Sequence, residues 1–289
     1  MAVITLQELK APLKNRPLSE KNVYSKPLFF GAVPSKGLTA DVFTLGIPHF
    51  SGTAGNALSY KDIASIPASE VLAPIEKRNG KKYEVVLVSD LFPNGKADIG
   101  SPQYIALVGQ LMIFIAKVLD GIDDAAAQLP ASQGFHQQGS RMMYWRFDDI
   151  SSHVKQAIEN PLKHQYWVVR DKDTQKIMGT TSVDLGSSRK PAQLEDVFLL
   201  PEMRRKREDG DIGLGKWLIA KAINRAAIND RKSIFLTTRA AGGFEAAVDL
   251  YERFGFKRVD PGSDRQRYET LVPKKFRSPR TLAMELALS

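Results

Sequence analysis

The sequence predicts a mixed α/β (α+β) protein. Its C-terminal half reads as one mixed sheet of about seven strands with flanking helices, and its N-terminal half as mixed α/β of undefined type. Three observations predict this. From Arg141 onward, short β-rich runs alternate with segments of helical period. Two runs, 166–171 and 177–185, are joined by the turn-forming string DKDTQK and so form a hairpin. Finally, a strand ending at Pro201 leads through a basic loop into Gly213-Leu214-Gly215-Lys216 and an apolar-periodic stretch to Ile228.

Residues 1–45 are punctuated by Pro and Lys, with a β-rich run at 42–45, and residues 47–60 are rich in Gly, Ser and Pro. YEVVLV (83–88) reads as a strand, residues 92–102 as a turn-rich loop, and YIALVGQLMIFIAKVL (104–119) as a helix. AAAQLPASQGFHQQG (125–139) has the composition of a linker, which divides the chain into domains over 1–135 and 140–289. A length of 289 residues fits two domains.

In the second half RMMYWRF (141–147) reads as a strand, and Asp148 and Asp149 cap a helix that Pro161 ends. The hairpin follows, then a fourth strand, QLEDVFLL (193–200), the helix from Leu214, and the strand SIFLTTR (233–239). Phe244, Ala247, Val248, Tyr251 and Phe254 recur at helical spacing, and Gly255 stops that helix. FKRV (256–259) and residues 282–286 complete the sheet. The order strand, loop, Asp-Ile-Gly, long helix occurs at 85–119 and again at 197–228, but the first copy lacks the second loop glycine and reads as coincidence.

A strand, a glycine turn and a helix start make an anion site. The first N–H groups of a helix have no partners within it, and the macrodipole places partial positive charge there. Glycine lets the main chain approach a phosphate closely. Gly210-x-x-x-x-Gly215-Lys216 matches the opening of a P-loop, but Trp217 stands where Ser or Thr must hold Mg²⁺. Gly213-x-Gly215 matches two glycines of a dinucleotide-binding fingerprint, but Leu218 replaces the third.

A third phosphate loop fits better. LEDVFLLPE, DIGLGKWLI and AAVDLYERFGFKRV occur in this order, and together they resemble the GNAT superfamily of acyl-CoA-dependent N-acyltransferases over about residues 141–286. The resemblance implies acetyl-CoA (coenzyme A) as donor. It carries cofactor contacts onto the main chain of Val197, Phe198 and Leu199, and onto Arg207, Gly210, Asp211, Ile212, Gly213, Leu214, Gly215 and Lys216. It implies a carboxylate base at Glu195 and a general acid at Tyr251, with Tyr268 in reserve. Simple alternation puts Glu195 and Val197 on one face and turns Asp196 the other way. The chain departs from the family at Gly210, where Arg or Gln is usual, and at Phe244, where Asn is usual. Acyl transfer to an amine needs an anchored donor, a deprotonated amine, an oxyanion donor and a proton for the departing thiolate. The expected reaction therefore moves an acetyl group to a primary amine on a small molecule, peptide or protein. The alternative is a catalytically inactive GNAT-fold module whose basic face docks nucleic acid or an acidic protein.

Composition narrows the classes. Cysteine is absent, which excludes disulfides, thiolate catalysis and Cys-based zinc sites and fits a reducing, cytoplasmic setting. The opening MAVITLQELKAPLK is too polar for a leader, and the 104–119 stretch falls short of the ~20 residues that span a bilayer. Gln103, Gln110 and Lys117 recur every seven residues and mark one wet edge on that helix. Net charge is +9: 13 Lys+Arg against 12 Asp+Glu over 1–139, and 28 against 20 over 140–289. The excess lies with the glycine loop and suits a polyanionic ligand; a nucleic-acid reader would interleave aromatics, which Arg204-Arg205-Lys206-Arg207 does not. His49, His136, His153 and His164 read as surface or linker residues without metal-ligand spacing, so no metal is expected.

Overall fold

In the computed structural model, strands Tyr83–Leu87 (β1), His164–Asp171 (β2), Ile177–Asp184 (β3), Ala192–Leu199 (β4), Ser233–Arg239 (β5), Lys257–Val259 (β6) and Thr281–Ala287 (β7) form one sheet. Their order is β1-β2-β3-β4-β5-β7-β6. Every neighbouring pair is antiparallel except β4 and β5, which are parallel. The structure describes residues 59–127, 139–187, 190–204, 212–239, 244–274, 277 and 281–288. Its helices are Tyr60–Ser65 (α1), Ala68–Asn79 (α2), Pro102–Ala127 (α3), Gly139–Glu159 (α4), Leu214–Ala227 (α5), Glu245–Arg253 (α6) and Arg265–Leu271 (α7).

Local chemistry explains the element ends. Ser59 and Asp62 form a reciprocal capping box that starts α1. The β2–β3 turn is closed by Asp171, whose Oδ1 accepts from the main-chain N–H groups of Asp173 at 3.0 Å and Thr174 at 2.9 Å. Gly255, at φ +91°, ends the turn after α6 in a conformation that an L side chain resists.

The sheet has the expected seven strands, with one exchange of membership. Residues 141–147, expected as a strand, lie inside α4. Met143, Phe147, Ile150, Val154 and Ala157 follow one another at steps of four and three, so the helical period runs straight through Asp148 and Asp149. The remaining strand is β1, from before the linker, in register with β2 from Tyr83↔Asp171 to Leu87↔Trp167. The boundary expected at 136–139 falls largely outside the described residues. On either side of it, α3 and α4 pack together, and the Tyr104 hydroxyl donates to the Ser151 carbonyl at 2.8 Å. The described residues 59–118 thus share a sheet and a core with the C-terminal half.

On α3, Leu107, Leu111, Phe114, Ile115 and Val118 are buried, while Gln103 and Lys117 are exposed along the expected wet edge. No helix among the described residues is long and apolar enough to cross a membrane. Helices α1 and α2 lie against α5. Trp217, only 3% exposed, donates its indole N–H to the Ile66 carbonyl at 2.8 Å and ties that junction. Trp217→Phe keeps the packing but leaves that carbonyl without its donor. It is expected to lower unfolding free energy by about 1–2 kcal/mol in urea titration. An unchanged midpoint would mean that α1 and α2 do not stabilise the sheet.

Candidate active site

The site begins with an irregularity in β4. Opposite it, the register with β3 shifts: Thr180 pairs with Phe198 and Ser182 with Glu195, so Asp196 and Val197 together face Thr181. Asp196 sits in the left-handed region at φ +49°. This is a β-bulge, one extra residue in one strand. The Thr180 hydroxyl pins it by donating to the Asp196 carbonyl at 2.7 Å.

The bulge changes which side chains share a face. Glu195 and Asp196 are consecutive, yet both reach His153 of α4. Nδ1 of His153 lies 2.7 Å from Asp196 Oδ2, and Nε2 lies 3.5 Å from Glu195 Oε2. The expectation that Asp196 turns away is therefore corrected. Val197, which alternation put beside Glu195, packs instead with the cluster of Ile219, Val248 and Tyr251. His153 itself is not a surface residue, since its side chain is 19% exposed. The sequence signal for it was slight: it follows Ile150 by three and precedes Val154 on the buried face of α4.

His164 also joins this region. It stands cross-strand from Asp184, with Nε2 2.9 Å from Oδ1. Burial pushes the Asp184 carboxyl up, but hydrogen bonds from His164 and the Gly186 N–H outweigh it and hold it below the usual range. Glu195 is different. Burial pushes its carboxyl up to about 7; His153 opposes this, while Asp196 and Asp184 add to it. Among the described residues its Oε2 has no hydrogen-bond partner, nor has the hydroxyl of Ser182, which pairs with it across the strands. A buried carboxyl near 7 in such a place is poised for proton exchange at neutral pH.

The two parallel strands part just ahead of the bulge. Only Ala192↔Ile234 and Gln193↔Phe235 pair, so the β4–β5 ladder ends before Glu195. The parted stretch of β4 contains Val197, Phe198 and Leu199. The Leu199 carbonyl accepts from Arg204 Nη2 at 3.2 Å. Helix α5 starts at the same end. A Cβ built on Gly215 would lie 3.2 Å from Leu199 Cδ1, so glycine lets the helix start close against β4. Gly213 is the N-cap, with no side chain to cap the first turn and no acidic residue within that turn. A Cβ there would meet no atom within 4 Å among the described residues. Leu214 is buried, Ile212 is half-buried against the core, and Lys216 is exposed. Arg207, Gly210 and Asp211 lie outside the described residues.

Tyr251 of α6 is 8% exposed and belongs to the cluster with Ile219, Leu236 and Val248. Its ring meets that of Phe256 edge-on, with centroids 5.9 Å apart. Val197 and Tyr251 therefore meet one cluster, while Glu195 faces α4. Tyr268 lies elsewhere, on α7, packed with Phe235, Val259 and Ala283, and its hydroxyl donates to the Thr281 carbonyl at 3.3 Å.

Parallel strands that stop pairing beside a helix start whose N-cap is a glycine suit an extended ligand with an anionic end. Comparison with known proteins found a family match and similar solved structures. Residues 163–258 match the family described as "Acetyltransferase (GNAT) domain". Similar solved structures include a GNAT-family acetyltransferase from Staphylococcus aureus, at 14% identity, covering 72% of this chain and 100% of that chain, TM-score 0.44. Another is the PaiA N-acetyltransferase of Thermoplasma acidophilum, solved in complex with coenzyme A, at 11% identity, covering 71% and 99%, TM-score 0.44. A third, spermidine N-acetyltransferase from Vibrio cholerae, is 20% identical, covering 49% and 74%, TM-score 0.31. No curated protein matches the chain. Residues 163–258 of this chain form a GNAT domain.

Proposed function

We propose that this protein transfers an acetyl group from acetyl-CoA to a primary amine by direct attack on the thioester. The observation that carries the reading is the end of the β4–β5 ladder at Gln193↔Phe235, immediately before a bulge that presents Glu195. Acetyl-CoA, when bound, supplies the activated acyl carbon and a thiolate leaving group. The glycine-led first turn from Gly213 to Lys216 suits its diphosphate, and the main chain of Val197 to Leu199 suits its extended arm, as one more strand on β4. Leu199 would then have to share or release its contact with Arg204.

Glu195 takes the proton that the acceptor's ammonium must lose before its nitrogen can bond to carbon. The electron pair of the broken C–S bond leaves with sulfur, Tyr251 is the candidate donor of a proton to it, and the second proton that the nitrogen sheds as the amide forms restores the tyrosine hydroxyl. The partly buried setting of Glu195 strengthens each of these electrostatic contacts relative to water.

The test has two stages. Acetyl-CoA is expected to raise the midpoint of thermal unfolding of the full chain, and a panel of small amines and peptides is expected to yield at least one acceptor with steady thiol release. Stabilisation without release for any amine would favour a GNAT-fold module that binds coenzyme A without catalysis, the reading that Phe244 at the N-cap of α6 also suits. No stabilisation would remove both.

A further inference from the structure

The bulge, the α4 helix and the neighbouring hairpin bring together a set of groups that acetyl transfer by Glu195 alone does not use. We propose that His153, clamped by Asp196, is a positioning residue that shares one proton with Glu195, so that the imidazole and the two carboxylates accept the acceptor's proton as a unit. The inference rests on the acetyl-transfer reading for its role and on geometry for its existence.

Asp196 is fully buried, and a buried carboxylate needs a charged or hydrogen-bonded partner. Its partner is Nδ1 of His153 at 2.7 Å. An ionised carboxylate only accepts, so Nδ1 carries the hydrogen, and this fixes the tautomer. Nε2 lies 3.5 Å from Glu195 Oε2, an oxygen with no hydrogen-bond partner among the described residues. A proton taken from the ammonium by Glu195 can pass to Nε2. That leaves an imidazolium between two carboxylates and returns Glu195 to its ionised form. A buried acid that orients a histidine and steadies its charged form is a known device of proton transfer.

The charged groups around Glu195 come from four elements: His153 of α4, Asp196 beside it on β4, Asp184 of β3 and His164 of β2. Asp184 and His164 are paired at 2.9 Å, so they offset each other, and the His153–Asp196 pair remains as the unit that responds to Glu195. The bulge is what makes this possible, because only an extra residue lets positions 195 and 196 both meet one ring.

The experiment is a pH titration of the imidazole nitrogens of the full chain by NMR. The chain has four histidines, and His153→Gln identifies the resonance that is lost. The wild-type ring is expected to show hydrogen on Nδ1 when neutral. Glu195→Gln removes a negative neighbour, so the His153 midpoint is expected to fall by about one pH unit. Asp196→Asn is expected to release the tautomer. A His153 midpoint unmoved by Glu195→Gln overturns the proposal whatever the enzyme's activity.

The kinetic arm uses His153→Gln. Loss of the cation that opposes the burial of Glu195 is expected to move the acid limb of the kcat/KM profile upward by about one pH unit, with thermal stabilisation by acetyl-CoA retained. An unshifted limb in a turning-over variant also overturns it. Should this variant fail to fold, the Glu195→Gln titration still decides. If the wild type releases no thiol with any amine yet Glu195→Gln moves the His153 midpoint, the shared proton stands and only the acetyl-transfer reading fails.

Discussion

Glu195→Gln is expected to lower kcat for acetyl transfer by about 10²–10⁴-fold, the range a positioned general base contributes. The substitution keeps size and shape and removes only the ability to take a proton. It leaves untouched the β4 main chain at Val197 to Leu199 and the first turn of α5, so stabilisation by acetyl-CoA is expected to persist. In the wild type, the carboxyl near 7 must be ionised to act, so kcat/KM is expected to rise with pH through about 7 and then level off. Thiol release followed across pH 5 to 9 checks both statements. Unchanged turnover in the variant removes Glu195 as the base and leaves the fold assignment intact.

The same variant is expected to be more stable than the wild type above neutral pH. Burial holds the native Glu195 carboxyl protonated up to about 7, whereas in the unfolded chain it loses its proton near 4.5. The native state therefore binds more protons between those values, and stability declines as pH rises through that window. Fully expressed, a displacement from 4.5 to about 7 is worth about 3 kcal/mol. Gln carries no charge to bury, so urea unfolding at pH 8 is expected to show a gain of up to about 3 kcal/mol, with little difference near pH 4.5. Equal stability at pH 8 would mean that His153 already compensates the ionised carboxylate in full. A residue that lowers stability where it works is the pattern expected of a functional group.

Much of the fold was legible because local periodicity sets it. The hairpin of β2 and β3 followed from two β-rich runs around a turn string, and α5 and α6 from helical spacing ended by glycine or preceded by it. The misreading at 141–147 has a local cause as well. RMMYWRF is β-rich by composition, and only its continuity with Ile150, Val154 and Ala157 shows a helix. Helix α7 went unread because its seven residues are too short a run for a period to emerge. The glycine turn before the helix was legible, and Gly215 lies against Leu199, while Arg207, Gly210 and Asp211 lie outside the described residues.

By itself, the sequence determined the class of the fold, the strand–glycine–helix order and the presence of a carboxylate beside it, because each is written in residue types at short spacing. The tertiary structure alone decided that β1 completes the sheet, that β4 leaves β5 after Gln193, and that Glu195 and Asp196 meet one histidine. A bulge reverses side-chain alternation without altering the pattern that precedes it, and the approach of α4 to β4 depends on packing between segments more than 40 residues apart. Neither quantity is a function of local spacing, which is why the carboxylate could be read from the chain and its histidine neighbour could not.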